Sequence, residues 1–211
     1  MRRRDPKKEM TIRRKVLELI VRSGLDGFSM QRLAKAARVS PATLYIYFVD
    51  RDDLVFQVYR EQMELMTKEA LRDFDPDGPF EAGLRVQWKN RAGYALSHPL
   101  EAQFLEQVRH SPYFSAFRER LPQDFFAMMR RFAMNAIARK EMNPMPPEIF
   151  WSLAYAPLYQ LVRFAQQDST FFGHGPGHRI FQLDDATLEH AFRCVLQALR
   201  PSPPSHEKLT R

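Results

Sequence analysis

The 211-residue chain is 45% hydrophobic and 27% charged, the make-up of one large folded domain or two smaller ones rather than of a disordered chain. Its single cysteine, Cys194, excludes an internal disulfide framework and a thiolate zinc site, and no stretch reaches the roughly 18 uncharged apolar residues of a membrane span. The net charge of +7 is concentrated at one end: residues 1–51 hold 13 Lys/Arg against 5 Asp/Glu, and the remainder is close to neutral. A basic patch of this kind collects phosphate and releases its counterions, so the first quarter reads as a polyanion-facing module; a solvated basic tail is the alternative. The run Val16 to Val21 is short and carries Glu18, unlike a secretory signal. The expectation is a soluble, cytoplasmic protein without membrane contact.

Helical periodicity recurs along the whole chain and long alternating strand patterns are missing, which predicts an all-α fold. Residues 1–10 read as a basic flexible arm. Ile12, Val16 and Ile20 fall at i, i+4, i+8 of a first helix that Gly24 ends. Ser29 is a candidate N-cap for a helix with Met30, Leu33, Ala34 and Ala37 on one face, and Ser40-Pro41 opens another that carries Leu44 and Phe48. A longer helix follows through about Phe74, with Leu54, Val58 and Met66. The segment 75–79, Asp-Pro-Asp-Gly-Pro, is a break. Beyond it the pattern predicts helices over 80–97, 100–110, 114–142 (one or two, around Pro122), 148–167 and 185–199, with a break at 143–147, a glycine-rich loop at 172–177 and a disordered tail from 201 to 211.

The two short helices between Ser29 and Phe48, joined around Arg38-Val39-Ser40, have the spacing of a helix-turn-helix, whose first helix crosses the DNA backbone while the second enters the major groove. Leu33, Ala34, Val39, Leu44 and Phe48 are its candidate core. Ala42, Thr43, Tyr45 and Tyr47 are read as outward positions, small or hydroxyl-bearing, suited to phosphates and thymine methyls.

The run Phe28 to Leu54, F-S-M-Q-R-L-A-K-A-A-R-V-S-P-A-T-L-Y-I-Y-F-V-D-R-D-D-L, resembles the DNA-binding domain of TetR/AcrR-family transcriptional repressors. The matching positions are Ser29, the L-A-x-x-A of Leu33 to Ala37, the V-S, the T-L-Y-x-Y-F and the closing D-L. The resemblance implies a three-helix DNA-binding head over 11–54 (motif about 29–48) and a helical ligand-binding and dimerisation domain over 55–200. It implies DNA contacts at Ser29, Gln31, Pro41, Ala42, Thr43, Tyr45 and Tyr47, and a phosphate contact at Arg51, where a lysine is usual. Arg38 departs from the family's turn glycine, and Pro41-Ala42 from a polar-glycine pair.

The second half holds a dense aromatic set. Phe104, Phe117, Phe126, Trp151, Tyr155 and Tyr159, with Met129, are candidate lining for an apolar or aromatic effector, with Gln103, Gln107, His110 and Arg163 as polar anchors; plain helical core is the alternative for each. The resemblance also implies a homodimer through the last two helices, for which Leu188, Phe192, Val195, Leu196 and Leu199 form the candidate stripe. The function so implied is a ligand-responsive regulator, a repressor released from a near-palindromic double-stranded DNA operator by a small molecule, with the helix from Asp52 to Phe74 relaying the change. Two rivals stand beside it: a helical enzyme or metal-binding protein, for which only the His174 and His178 pair offers ligands, and a non-specific nucleic-acid binder. No catalytic residue, cofactor or metal site is expected.

Overall fold

The computed structural model describes residues 5–119, 124–166 and 181–201. Among these, helices occur in the order α1 (Pro6–Ser23), α2 (Met30–Ala37), α3 (Pro41–Tyr47), α4 (Arg51–Ala70), α5 (Phe80–Ser97), α6 (Pro99–Arg109), α7 (Phe114–Glu119), α8 (Asp124–Ala138), α9 (Pro147–Ala154), α10 (Ala156–Gln166) and α11 (Asp185–Leu199). No strand occurs among the described residues, as the periodicity predicts. The glycine-rich loop, its two histidines, Pro122 and the tail beyond Pro201 lie outside them, as do Arg2, Arg3 and Arg4.

The chain divides into two compact units, Met1–Lys68 with Ser97–Pro122, and Glu69–Leu96 with Gln123–Arg211. This differs from a division at residue 54. Because α6 and α7 complete the first unit, its core is larger than a three-helix head. Ile12, Val16 and Ile20 of α1 are fully buried, and α1 packs on α2 and α6. Helix α1 starts at Pro6, so residues 6–10 of the expected flexible arm are helical. The cause is local: Asp5 accepts from the backbone N–H groups of Lys7 and Lys8 (3.0 and 3.4 Å), and Pro6 stands at the first helical position, where its missing N–H costs nothing. Gly24, at φ 72°, ends α1 with its N–H on the Ile20 carbonyl.

In the second unit, Leu84, Trp88, Ala92 and Ala95 of α5 meet a core made by Phe132, Phe150, Ala154, Leu158, Val162 and Phe192. Gly83 permits this packing: a Cβ there would stand 2.6 Å from Phe132 Cε2. Three element ends differ from the periodicity. Helix α4 stops at Ala70, ahead of a turn with Asp73 at φ 58°, and α8 stops at Ala138, where Lys140 is left-handed and Glu141 donates back to Ala136. The single helix expected over 148–167 is two, α9 and α10, broken at Tyr155. Pro157 explains the break, since it has no N–H for the Leu153 carbonyl and its ring clashes with that carbonyl in a continuous helix.

Candidate functional site

Helix α2 begins at Ser29, whose Oγ accepts from the Arg32 N–H, and ends at Arg38, which is left-handed at φ 54°. The Arg38 N–H returns to Ala34 and Lys35 carbonyls and the Val39 N–H to Ala34, which closes the helix in the manner usually left to glycine. An arginine there costs about 1 kcal/mol relative to an unstrained backbone. Two residues on, Ser40 caps α3 by accepting from the Thr43 N–H, and its Oγ lies 2.8 Å from the Thr43 hydroxyl. The angle between the helices is fixed by Leu33, Ala34, Leu44 and Phe48, all buried; Val39 is only half-buried and borders that core.

What α3 leaves outward is Pro41, Ala42 and Tyr45, with Thr43 half-covered. The Tyr45 ring is 56% exposed and Val49, just beyond the helix, is 80% exposed. Gln31 is exposed on α2, and so are Lys35 and Arg38, which have no ion-pair partner among the described residues. Sequence reasoning gave these two cations no contact role; a lysine in the last turn of a short helix and the turn arginine after it were the available signal. Both stand at the end of α2, shortly before α3 begins, and add two exposed positive charges to the motif.

Two expected contacts fall elsewhere. Tyr47 is not outward: its ring is buried, and its hydroxyl accepts from the Asp5 N–H at 2.8 Å, tying α3 to the cap of α1. Arg51 is not a free phosphate ligand. Its guanidinium donates to the carbonyls of Leu25 (2.6 Å) and Phe28 (3.3 Å), to Asp52 Oδ1 (2.9 Å) and to the Tyr113 hydroxyl (3.0 Å), and it lies against the Phe28 and Tyr113 rings. It clamps the α1–α2 loop to the start of α4. Arginine in place of lysine matters here, because a planar fork can serve these separate acceptors and an ammonium cannot.

The expected effector residues divide between the units. Phe104, Gln107 and Phe117 belong to the first; Phe104 and Phe117 are buried core, and Gln107 donates to the Val21 carbonyl at 3.1 Å. In the second unit Arg163 and Phe126 are exposed, which removes Arg163 as an inward anchor. His110 is likewise exposed and Gln103 half-buried. Met129, Trp151, Tyr155 and Tyr159 do come together, around a group that was not anticipated. Arg91 of α5 is only 2% exposed. Its Nη1 donates to the Tyr159 hydroxyl (2.6 Å), and its Nη2 and Nε donate to Gln87 Oε1 (3.1 and 3.4 Å). Its guanidinium carbon lies 4.5, 5.5 and 5.9 Å from the ring centres of Tyr155, Trp151 and Phe125. Gln87 Oε1 also accepts from the Tyr155 hydroxyl (2.9 Å), while its amide faces Met129 Sδ. Burial pushes the Tyr155 phenol well above its ordinary range, so it stays neutral beside the cation.

The last-helix stripe also reads differently. Phe192, Val195, Leu196 and Leu199 are buried inside the unit and Leu188 is half-buried, with Phe192 edge-on to Trp88 and under the Arg85 guanidinium. Four of the five expected seam residues are therefore packed within the unit itself. Among the described residues, no cluster of three His, Cys, Asp or Glu side chains is placed to hold a metal, and no helix is long and apolar enough to cross a membrane.

A short capped helix presented outward by a buried helix pair defines a helix-turn-helix head, followed by a separate helical unit. The sequence profile of bacterial regulatory proteins of the tetR family matches residues 12–58. An uncharacterized HTH-type transcriptional regulator of Haemophilus influenzae is 33% identical over 96 residues, which span 46% of this chain and 51% of that relative, about half its length. A TetR family transcription regulator from Marinobacter aquaeolei superposes with a TM-score of 0.79 at 25% identity, covering 96% of this chain and 100% of its own. The transcriptional regulator FadR of Bacillus subtilis, solved in complex with stearoyl-CoA, shares the fold with a TM-score of 0.67 at 13% identity, covering 91% and 100% of the two chains. Residues 12–58 thus match the tetR-family profile, and the chain as a whole shares the fold of TetR family regulators.

Proposed function

We propose that the protein is a ligand-responsive transcriptional repressor that binds a near-palindromic DNA operator as a homodimer and leaves it when a small molecule occupies the second unit. The observation that carries this reading is the outward face of α3: Pro41, Ala42 and Tyr45 stand free of the core, and the preceding helix ends in the exposed Lys35 and Arg38. Such a face offers a hydroxyl and apolar groups to a base edge and two cations to phosphates. Ser29, Gln31 and Thr43 sit at the starts of the same two helices and complete the contact set. In a symmetric dimer the two α3 helices read half-sites about 34–36 Å apart.

An apolar or aromatic effector, held among the rings of the second unit, shifts the equilibrium toward a dimer whose heads no longer match that spacing; its differential affinity for the two states sets the extent. The stearoyl-CoA in the Bacillus subtilis protein is a precedent of fold for a ligand with an apolar body. Selection of bound sequences from random duplex DNA tests the proposal. A palindromic consensus preferred by about a thousandfold or more over random duplex is expected. Equal affinity for all duplexes would leave a non-specific nucleic-acid binder, and no affinity at low salt would remove DNA from the account.

A further inference from the structure

A cation withdrawn from water requires a counter-charge, or it pays a desolvation penalty of several kcal/mol. Arg91 is nearly fully buried, and among the described residues no carboxylate lies within ion-pair distance of it. Its partners are an amide oxygen, a tyrosine hydroxyl and the faces of three rings. A guanidinium has five N–H groups. Three are engaged, on Nε, Nη1 and Nη2, so each terminal nitrogen keeps one N–H without a partner. The oxygens of the cluster are satisfied: Gln87 Oε1 accepts three donors, and the Tyr155 hydroxyl donates to it. The unmet demand at Arg91 is therefore specific, one positive charge and two N–H groups.

We propose that Arg91 is the anion anchor of the effector site, and that the effector is a monocarboxylate on an aromatic or hydrocarbon body. The proposal rests on the effector role given above to the second unit. One buried cation balances one negative charge, which suits a carboxylate better than a phosphate dianion or the several phosphates of a coenzyme A ester. The rings of Phe125, Trp151 and Tyr155 offer the apolar body a stacking surface around the anchored head. Gln87 and Tyr159 hold the guanidinium plane in position before the ligand arrives, so little ordering remains to oppose binding.

Calorimetric titration of the full chain with 3-phenylpropionate and with dodecanoate, each beside its neutral alcohol, tests this and separates an aryl from an alkyl body. Binding of at least one carboxylate, at least about tenfold tighter than its alcohol, is expected. Arg91→Met should lose that preference, while the melting temperature without ligand holds or rises because an uncompensated buried charge has gone; a purely structural arginine would lower it. Arg91→Lys, which keeps the charge and loses the fork, should bind the carboxylate more weakly than wild type and still prefer it to the alcohol; this arm decides if Arg91→Met does not fold. No carboxylate binding, equal affinity for acid and alcohol, or an undiminished preference in Arg91→Met overturns the proposal. Operator release is measured separately: carboxylate binding at Arg91 without release would sink the regulatory reading alone, and release by a ligand that binds Arg91→Met equally well would sink this inference alone.

Discussion

Tyr45 and Tyr47 differ by two positions and by everything that matters physically. On a helix this spacing is about 200°, so one ring faces out and the other in. Tyr45→Phe removes a hydroxyl that has water for a partner in the free protein; operator binding should weaken by about 1 kcal/mol with the melting temperature unchanged. Tyr47→Phe removes the acceptor of the Asp5 N–H. It should lower stability by about 1 kcal/mol and leave the salt dependence of DNA binding intact, as gel-shift titrations across ionic strength and urea unfolding would reveal. The same pair of measurements separates the arginines. Arg51→Ala strands the Leu25 and Phe28 carbonyls and should cost about 1–3 kcal/mol of stability with no change in salt slope. Lys35→Ala and Arg38→Ala should each flatten the slope by about 0.9 if each neutralises one phosphate. Sequence pattern placed Tyr45 and Tyr47 on the second motif helix and Arg38 in the turn before it, as the structure has them. It could not tell Arg51 from a phosphate ligand, because a clamp on distant carbonyls leaves no local periodicity.

Element ends were legible at several caps. Ser29, Ser40 and Asp184 each cap a helix with their side chains, and α5 and α11 begin and end where the pattern placed them; Asp5 caps α1 in the same way, inside what reads as a flexible arm. The α9–α10 break was legible in principle from Pro157, but a strong apolar stripe on both sides masked it. Helix α5 hid more. Leu84, Gln87, Trp88, Arg91, Ala92 and Ala95 lie on one buried face, and two polar residues within such a stripe are the signal that marks the Arg91 cluster. The glycine on the neighbouring position is testable. Gly83→Ala gains about 1 kcal/mol of helix propensity, yet the new Cβ meets a Phe132 ring that is itself packed on Phe74 and Phe80. Overpacking should win and destabilise the protein by about 1–3 kcal/mol on urea unfolding. At the surface of the same helix, the Arg85 hydrogen bond, with Arg200 nearby, holds the Glu81 carboxyl below its ordinary range, and Arg193 and Arg85 do the same for Glu189 on α11. Carboxylates with lowered values contribute stability above the ordinary range near pH 4, and lose it as pH falls through the lowered values. The melting temperature should therefore drop below about pH 4 more steeply in wild type than in Glu81→Gln/Glu189→Gln. Both carboxylates are in good part open to solvent, which screens them, so the difference will be small.

At the scale of the molecule, the all-α plan follows from the sequence because helical periodicity is a local property, whereas the assembly surface does not, because a stripe looks alike whether it faces its own core or a second copy. The last helix was the natural candidate, and its stripe is spent inside the unit. Apolar side chains that remain outside are a better guide. Ile149 and Leu153 lie one turn apart on α9 and are 49% and 37% exposed. Exposed apolar residues in register on one helix face suit a two-fold seam, where each meets the same surface of the other copy. If α9 forms that seam, Ile149→Glu with Leu153→Glu brings like charges together across the axis and removes the apolar contact at once. Sedimentation equilibrium should then find monomers at concentrations where the wild type is dimeric, with helix content unchanged. The monomer holds one half-site, so its salt slope on a palindromic duplex should fall to about half that of the dimer. A double variant that still sediments as a dimer would move the seam off α9, and an unchanged slope in a proven monomer would mean that one head suffices to bind.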